Sequence, residues 1–151
     1  MSLFEQLFKD SHPTAPDIPF FKKGDLFPDP IKSEFRPQIV LFLSLICKDC
    51  IDIIVYLHNE AVNQQIIRKN LELFVVGKSE EVVELKEYLG DKYMIKSITP
   101  QELALTYRII NTPFLYHIYT DNRILKSYEF FTLEHFITEA FDLSYIEEAV
   151  P

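Results

Sequence analysis

A pair of cysteines at the end of an apolar run is the feature that most constrains this chain. The run covers residues 39–43, resumes after Ser44, and ends at Cys47-Lys48-Asp49-Cys50, which contains the only two cysteines. A continuous apolar run of strand length is typical of a strand that is covered on both faces of a sheet. A Cys-x-x-Cys pair where such a strand gives way to a helix is typical of a thiol–disulfide redox centre. We therefore predict a buried strand, a helix that begins near the cysteines, and a redox-active pair between them.

The overall composition limits the class of protein and its partners. With 151 residues, 48% hydrophobic and 25% charged, the chain is long enough for one domain with one core, and disorder is not expected. The net charge of −8 argues against nucleic acid or an anionic membrane surface as a partner, because either needs a basic face. We predict a single domain over residues 1–151.

The apolar segments also bear on localisation. No apolar run approaches the roughly 18 residues that span a bilayer, so no membrane span is predicted. Residues 1–10 lack the basic and continuous apolar regions of a secretory signal. As the sequence stands we predict a cytoplasmic protein; the alternative is an extracytoplasmic one whose signal or anchor has been removed. In the cytoplasm a close cysteine pair is more often catalytic or metal-binding than structural.

Hydrophobic periodicity predicts the element order β-α-β-α-β-α-β-β-α, an α/β fold with a mixed central sheet and helices on both faces. Residues 1–37 are rich in proline and are predicted to form an N-terminal arm or hairpin, followed by a core over residues 38–142. The segment 51–58 is predicted as a helix because of the cysteine motif, with a possible extension to 67, although its β-branched residues favour a strand. The predicted strands are 39–45, 71–76, 93–98, 113–119 and 124–128. The predicted element ends are an N-cap at Ser79, a C-cap at Gly90, a Thr99–Glu102 capping box, a turn at Asp121-Asn122 and an N-cap at Thr132.

On three linked features the chain resembles the thioredoxin-like superfamily: a strand followed by Cys47-x-x-Cys50, a Thr112-Pro113 pair that opens a later strand, and a terminal hairpin with a helix. The additional strand and helix over residues 71–90, and the lead-in Lys23-Gly24-Asp25-Leu26-Phe27-Pro28-Asp29, make it most similar to the TlpA/MauD-type thiol–disulfide oxidoreductases, which carry a similar Gly-x-x-x-Pro-Asp lead-in. The resemblance covers roughly residues 20–142.

The resemblance implies a role for each residue of the motif. Cys47 would attack the substrate, Cys50 would resolve the mixed disulfide, and Pro113 would be cis and face the pair. Thr112 would offer its backbone to an extended substrate, with Ile46, Lys48 and Asp49 beside it. The implied partners are protein or peptide thiols and disulfides and a redox partner protein, and no cofactor is implied.

The motif also departs from the family pattern. An aromatic residue usually stands where this chain has Ile46, a proline or histidine often stands in place of Asp49, and TlpA-type proteins often have an acidic residue where this chain has Ile53. No acid or base residue is therefore assigned. If Cys47 lies at the start of a helix, unpaired backbone N–H groups favour its thiolate, Lys48 adds to that effect and Asp49 opposes it.

Alternatives to a redox enzyme remain at this point. Half a zinc site is one, although no second cysteine pair exists and the histidines lack metal spacing. A peroxidase is a second: it needs a proline and a threonine or serine upstream of the attacking cysteine, and this chain has Ser44 but Val40 at the proline position. A thioredoxin-like domain that serves as a non-catalytic binding or interaction module is the third. The four histidines are expected at the surface or the sheet edge. The abundant Phe and Tyr residues are expected in the core, although Phe20, Phe21 and Phe27 could line a substrate groove.

Overall fold

The apolar run before the cysteines forms the central strand of a five-stranded sheet. This strand, β1 (Gln38–Ser44), is flanked by β2 (Leu71–Val76) and β4 (Phe114–Ile118), with β3 (Met94–Ile98) beyond β2 and β5 (Ile124–Glu129) beyond β4. β1, β2 and β3 run parallel, whereas β4 is antiparallel to both β1 and β5. The predicted mixed sheet is therefore confirmed.

The computed structural model describes residues 19–29, 38–59, 71–119, 121–129 and 132–137. The prediction of a single domain, with an arm over residues 1–37 and a core over 38–142, extends beyond these ranges and stays a prediction. The possible extension of the first helix to residue 67 also lies outside them.

The helices cover both faces of the sheet, but unevenly. α1 (Lys48–Asn59) connects β1 to β2, and α2 (Ser79–Leu89) connects β2 to β3. Because both crossovers move in the same direction across the sheet, right-handed connections place α1 and α2 on one face. The short α3 (Leu133–His135) packs there too through Leu133, and Phe136 directly after it is buried in the same core. The return from β3 to β4 carries a π-helical turn (Glu102–Thr106) to the opposite face, where Leu103 meets the core.

Burial on one face explains why the segment after the cysteines is a helix despite its β-branched residues. Its buried side chains are Cys50, Ile53, Ile54 and Leu57, a helical spacing that packs against the sheet. Val82, Leu85 and Leu89 of α2 join the same core. The predicted helix over residues 51–58 is confirmed, and it begins three residues earlier, at Lys48.

The opposite face of the sheet is an aromatic core that holds the described part of the N-terminal segment. Phe27 is buried, with its ring centroid 5.7 Å from that of Tyr107 and 6.0 Å from that of Tyr116. The Gly24 N–H donates to the Ile124 carbonyl at 2.8 Å, which fixes the segment to the β4–β5 hairpin. Phe21 and Phe27 are therefore core residues, which is the packing role expected for the aromatic residues.

Element ends follow the sequence with one correction. Thr99 and Glu102 form the predicted reciprocal capping box, each backbone N–H donating to the other's side chain at 3.0 Å. Ser79 is not the N-cap of α2 but its first residue: the cap is Lys78, whose N–H donates to the Glu81 carboxylate at 3.4 Å.

The expectation that all four histidines lie at the surface or the sheet edge is wrong for His117. His117 is fully buried, because β4 is an interior strand covered on both faces.

Candidate active site

The two cysteines lie where β1 ends and α1 begins. Cys47 immediately precedes α1 and is half-buried, whereas Cys50 lies in the first turn and is fully buried; both are free thiols. The Cys50 N–H donates to the Cys47 sulfur at 3.4 Å. This N–H belongs to the first turn of the helix, where backbone donors have no partner within the helix, so it can stabilise negative charge on Cys47.

Cys50 is shielded from solvent and surrounded by apolar side chains of the helix-facing core. Burial raises the pKa of the Cys50 thiol to about 12, and its hydrogen bond with Cys47 acts in the same direction. The backbone N–H of Ser44 donates to the Cys50 sulfur at 3.4 Å and partly opposes this rise. Cys50 is therefore a thiol at neutral pH. The contact with Ser44 comes from the main chain, so no side-chain pattern in the sequence could have indicated it.

Thr112 approaches the cysteines from the β4 side of the sheet. The Cys47 thiol donates to the Thr112 carbonyl oxygen at 3.5 Å, although 65 residues separate them in the chain. Thr112 is half-buried and Pro113 is buried, and the peptide bond between them is cis. The structure thus brings Cys47, Cys50 and Thr112 together: the two cysteines lie at the junction of β1 and α1, and this junction faces the start of β4.

Comparison with known proteins rests on structure alone. No protein-family model matches the sequence, and a comparison with curated proteins found no match. An uncharacterised thioredoxin-like protein from Porphyromonas gingivalis matches with a TM-score of 0.57 at 16% identity, over 80% of this chain and 79% of that one. The chain has the thioredoxin-like fold.

Two further solved structures share this thioredoxin-like fold. StoA from Bacillus subtilis has a TM-score of 0.51 at 18% identity, over 80% of this chain and 96% of that one. A thiol:disulfide interchange protein from a Bacteroides species has a TM-score of 0.51 at 13% identity, over 80% and 90% of the two chains.

Three residues predicted beside the substrate are exposed next to the two cysteines. Ile46 is 95% exposed, and Lys48 and Asp49 are exposed as well. The Lys48 ammonium lies 3.2 Å from the Asp52 carboxylate one turn along α1. Lys48, which was expected to place positive charge beside Cys47, is therefore paired with a carboxylate of α1.

Behind the cysteines the thioredoxin-like core is apolar. Ile53 is fully buried on the same side of α1 as Cys50. Within the described residues, no carboxylate or imidazole hydrogen-bonds to either cysteine sulfur. The same residues contain no group of three or more His, Cys, Asp or Glu side chains that could hold a metal ion. No helix in the described ranges is long and apolar enough to cross a lipid bilayer.

Proposed function

We propose that this protein is a thiol–disulfide oxidoreductase that acts on protein or peptide dithiols through Cys47 and Cys50. The observation that carries the proposal is the contrast between the two sulfurs. Cys47 is partly accessible at the start of a helix and 3.4 Å from a backbone N–H, whereas Cys50 is buried directly beside it. Cys47 can reach a substrate disulfide, while Cys50 stays shielded until a mixed disulfide has formed. A two-step exchange needs these two roles, attack and resolution. The thiol:disulfide interchange protein of the same fold from a Bacteroides species agrees with this proposal.

The proposed reaction transfers two electrons through the cysteine pair. The Cys47 thiolate attacks one sulfur of a substrate disulfide, forming a mixed disulfide and releasing the other substrate sulfur as a thiolate. Cys50 then loses its proton, which the released thiolate or water accepts, and attacks the Cys47 sulfur. The mixed disulfide breaks, the substrate leaves as a dithiol, and the protein retains a Cys47–Cys50 disulfide. The reverse sequence oxidises a dithiol.

The remaining site residues would hold the substrate rather than react with it. Thr112 would offer its backbone to an extended peptide, with Pro113 in the same wall, as in TlpA-like proteins. Ile46, Lys48 and Asp49 would contact residues that flank the substrate cysteine. The sulfurs carry the electrons, so the exchange needs no cofactor, but it needs a redox partner protein to restore the pair. A reducing compartment would favour the reductant direction and an oxidising one the oxidant direction.

The test is turnover of a disulfide-containing protein such as insulin by the wild type and by two matched variants. Cys47→Ser is expected to abolish exchange, because the attacking sulfur is gone. Cys50→Ser is expected to react once and to keep the mixed disulfide, because the resolving sulfur is gone. Full activity in Cys47→Ser would contradict the proposal. So would an inactive wild type whose thiols react no faster than free cysteine.

A second candidate is a non-catalytic thioredoxin-like binding module that uses the same surface. The observation that favours it is the apolar surrounding of Cys50, whose burial raises its pKa to about 12, with no carboxylate of the described residues bonded to its sulfur. In a binding module, Cys47→Ser would keep partner affinity, and the wild type would show no turnover. The same two variants therefore separate the two candidates.

A further inference from the structure

A shallow cavity lies between α1 and α2, beside the cysteine motif. Its volume is about 360 Å3, and it is lined by Leu45, Ile51, Leu85, Tyr88, Glu81 and Glu84. Leu45 is two residues before Cys47, and the Ile51 N–H donates to the Cys47 carbonyl at 3.0 Å. The cavity therefore begins within one helical turn of the sulfur that we propose reacts with substrate.

The cavity and Thr112 lie on opposite sides of Cys47. β1 has β2 on one side and β4 on the other. The cavity is built partly by α2, which follows β2, whereas Thr112 precedes β4 and contacts the Cys47 sulfur from that side. Ile46, which is 95% exposed, immediately precedes Cys47 in the chain. A peptide that ran from Thr112 across Cys47 would therefore continue on the side of β1 where the cavity lies.

The lining combines an apolar surface with negative charge. Leu45, Ile51 and Leu85 supply aliphatic surface, and Tyr88 supplies an aromatic ring that stacks on His58 at 4.1 Å. Of the two carboxylates, Glu81 accepts the Lys78 N–H at 3.4 Å. Glu84 is exposed and has no ion pair among the described residues. Among the residues that the structure describes, no lysine or arginine lines the cavity.

An arginine or lysine side chain matches this lining in both parts. Its aliphatic stem can lie on the apolar surface while its cationic end meets the carboxylates or the tyrosine ring. The cavity volume suits one long side chain rather than a whole helix of a partner. The protein's net charge of −8 attracts basic partners over a longer range as well.

We propose that this cavity binds an arginine or lysine side chain of the substrate protein, a few residues from the substrate cysteine, and so selects substrates with basic flanks. This proposal rests on the proposed function, because the basic residue is selected as part of a substrate whose cysteine undergoes thiol–disulfide exchange at Cys47. Glu84 on α2 would then select substrates by binding the cationic end of this side chain, away from the reacting sulfurs.

The experiment uses the full chain and short peptides whose single cysteine carries a chromophoric aromatic thiol as a mixed disulfide. Attack by Cys47 breaks that disulfide, joins the peptide to Cys47 and releases the chromophoric thiolate, which absorbance follows. Peptides with arginine are compared with peptides that carry citrulline, its neutral isostere, at the same position. Glu84→Gln is compared with Glu87→Gln, which removes the same charge from an exposed residue of α2 outside the cavity.

The arginine peptide is expected to react about threefold to fivefold faster than the citrulline peptide at low salt, as for other partly exposed ion pairs. Added salt should reduce this ratio. Glu84→Gln should lower it below about twofold, and Glu87→Gln should keep it. Equal rates for the two peptides, or a ratio that Glu84→Gln leaves unchanged, would overturn the proposal.

A binding measurement keeps this outcome separate from the proposed function. Fluorescence anisotropy follows labelled peptides in which serine replaces the cysteine, so no exchange is required. If no peptide reacts, the proposed exchange is contradicted, and the affinity ratio of the arginine and citrulline peptides then decides the docking proposal by the same criteria.

Discussion

Selective alkylation of the two cysteines tests the contrast on which the proposed function depends. Cys50 is fully buried, and burial raises its pKa to about 12 from an ordinary thiol value of 9.0. Since only the thiolate reacts, a pKa of about 12 leaves roughly one molecule in 10,000 ionised at pH 8, against roughly one in ten for a pKa of 9. The ionisation alone therefore slows Cys50 by about 1,000-fold relative to an ordinary thiol, and exclusion of the reagent adds to this.

The assay is timed treatment of the reduced protein with iodoacetamide at pH 8, followed by denaturation, labelling with a second reagent of different mass, and tryptic digestion. Trypsin cleaves after Lys48, which places Cys47 and Cys50 in separate peptides that mass spectrometry quantifies independently. Cys47 is expected to be labelled first and Cys50 at least 100-fold more slowly. In guanidinium chloride the two rates should become similar, which is the internal control. Labelling of Cys50 in the folded protein at the rate found in denaturant would refute the reasoning.

Two further predictions concern stability. Burial, reinforced by the charge of Lys126, lowers the pKa of His117 from 6.5 to about 3. The unfolded chain therefore gains a proton below about pH 6.5 that the native protein does not, so the free energy of unfolding should fall by up to about 1.4 kcal/mol per pH unit between pH 6 and pH 4. Urea titrations at several pH values should show that this pH dependence of the free energy of unfolding is lost in His117→Phe and kept in His58→Phe. An unchanged pH dependence in His117→Phe would contradict its origin in His117. Asp29 accepts a 2.8 Å bond from Lys96 in a half-buried setting, so Asp29→Asn should cost about 1–2 kcal/mol, whereas Asp121→Asn in an exposed pair should cost under about 0.5 kcal/mol. Equal losses for the two variants in urea titration would contradict that reasoning.

Much of the fold could be predicted because local signals and the requirements of the sheet agreed. The capping box at Thr99 and the turn at Asp121-Asn122 lie at their predicted positions, since both depend on residues close in the sequence. The segment after Cys50 shows where local preference is overridden. Its β-branched residues favour a strand, but β1 and β2 are adjacent and parallel, so the chain between them must cross over the sheet. Apolar residues at helical spacing in this crossover then favour a helix over a strand.

The features that could not be predicted depend on contacts between distant residues or on the main chain. The Phe21 N–H donates to the Tyr116 hydroxyl across 95 residues, and no local pattern indicates that pairing. The Ser44 N–H beside the Cys50 sulfur is a main-chain donor whose position depends on the end of β1. The cavity that Glu84 borders depends on how α2 packs beside α1, which periodicity alone does not reveal.

The exposed side chain of Ile46 has a consequence for the lifetime of any encounter at Cys47. Ile46 is 95% exposed next to the half-buried thiol. Covering an isoleucine side chain completely contributes about 1.5–3 kcal/mol, which corresponds to roughly a tenfold to 150-fold slower dissociation if the association rate is unchanged. In the proposed exchange, a partner that covers Ile46 would therefore stay bound long enough for more attempts at sulfur exchange, whereas one that leaves Ile46 in water would dissociate sooner. Under the proposed function, contact with this single residue would thus discriminate among partners by residence time, before any covalent bond forms.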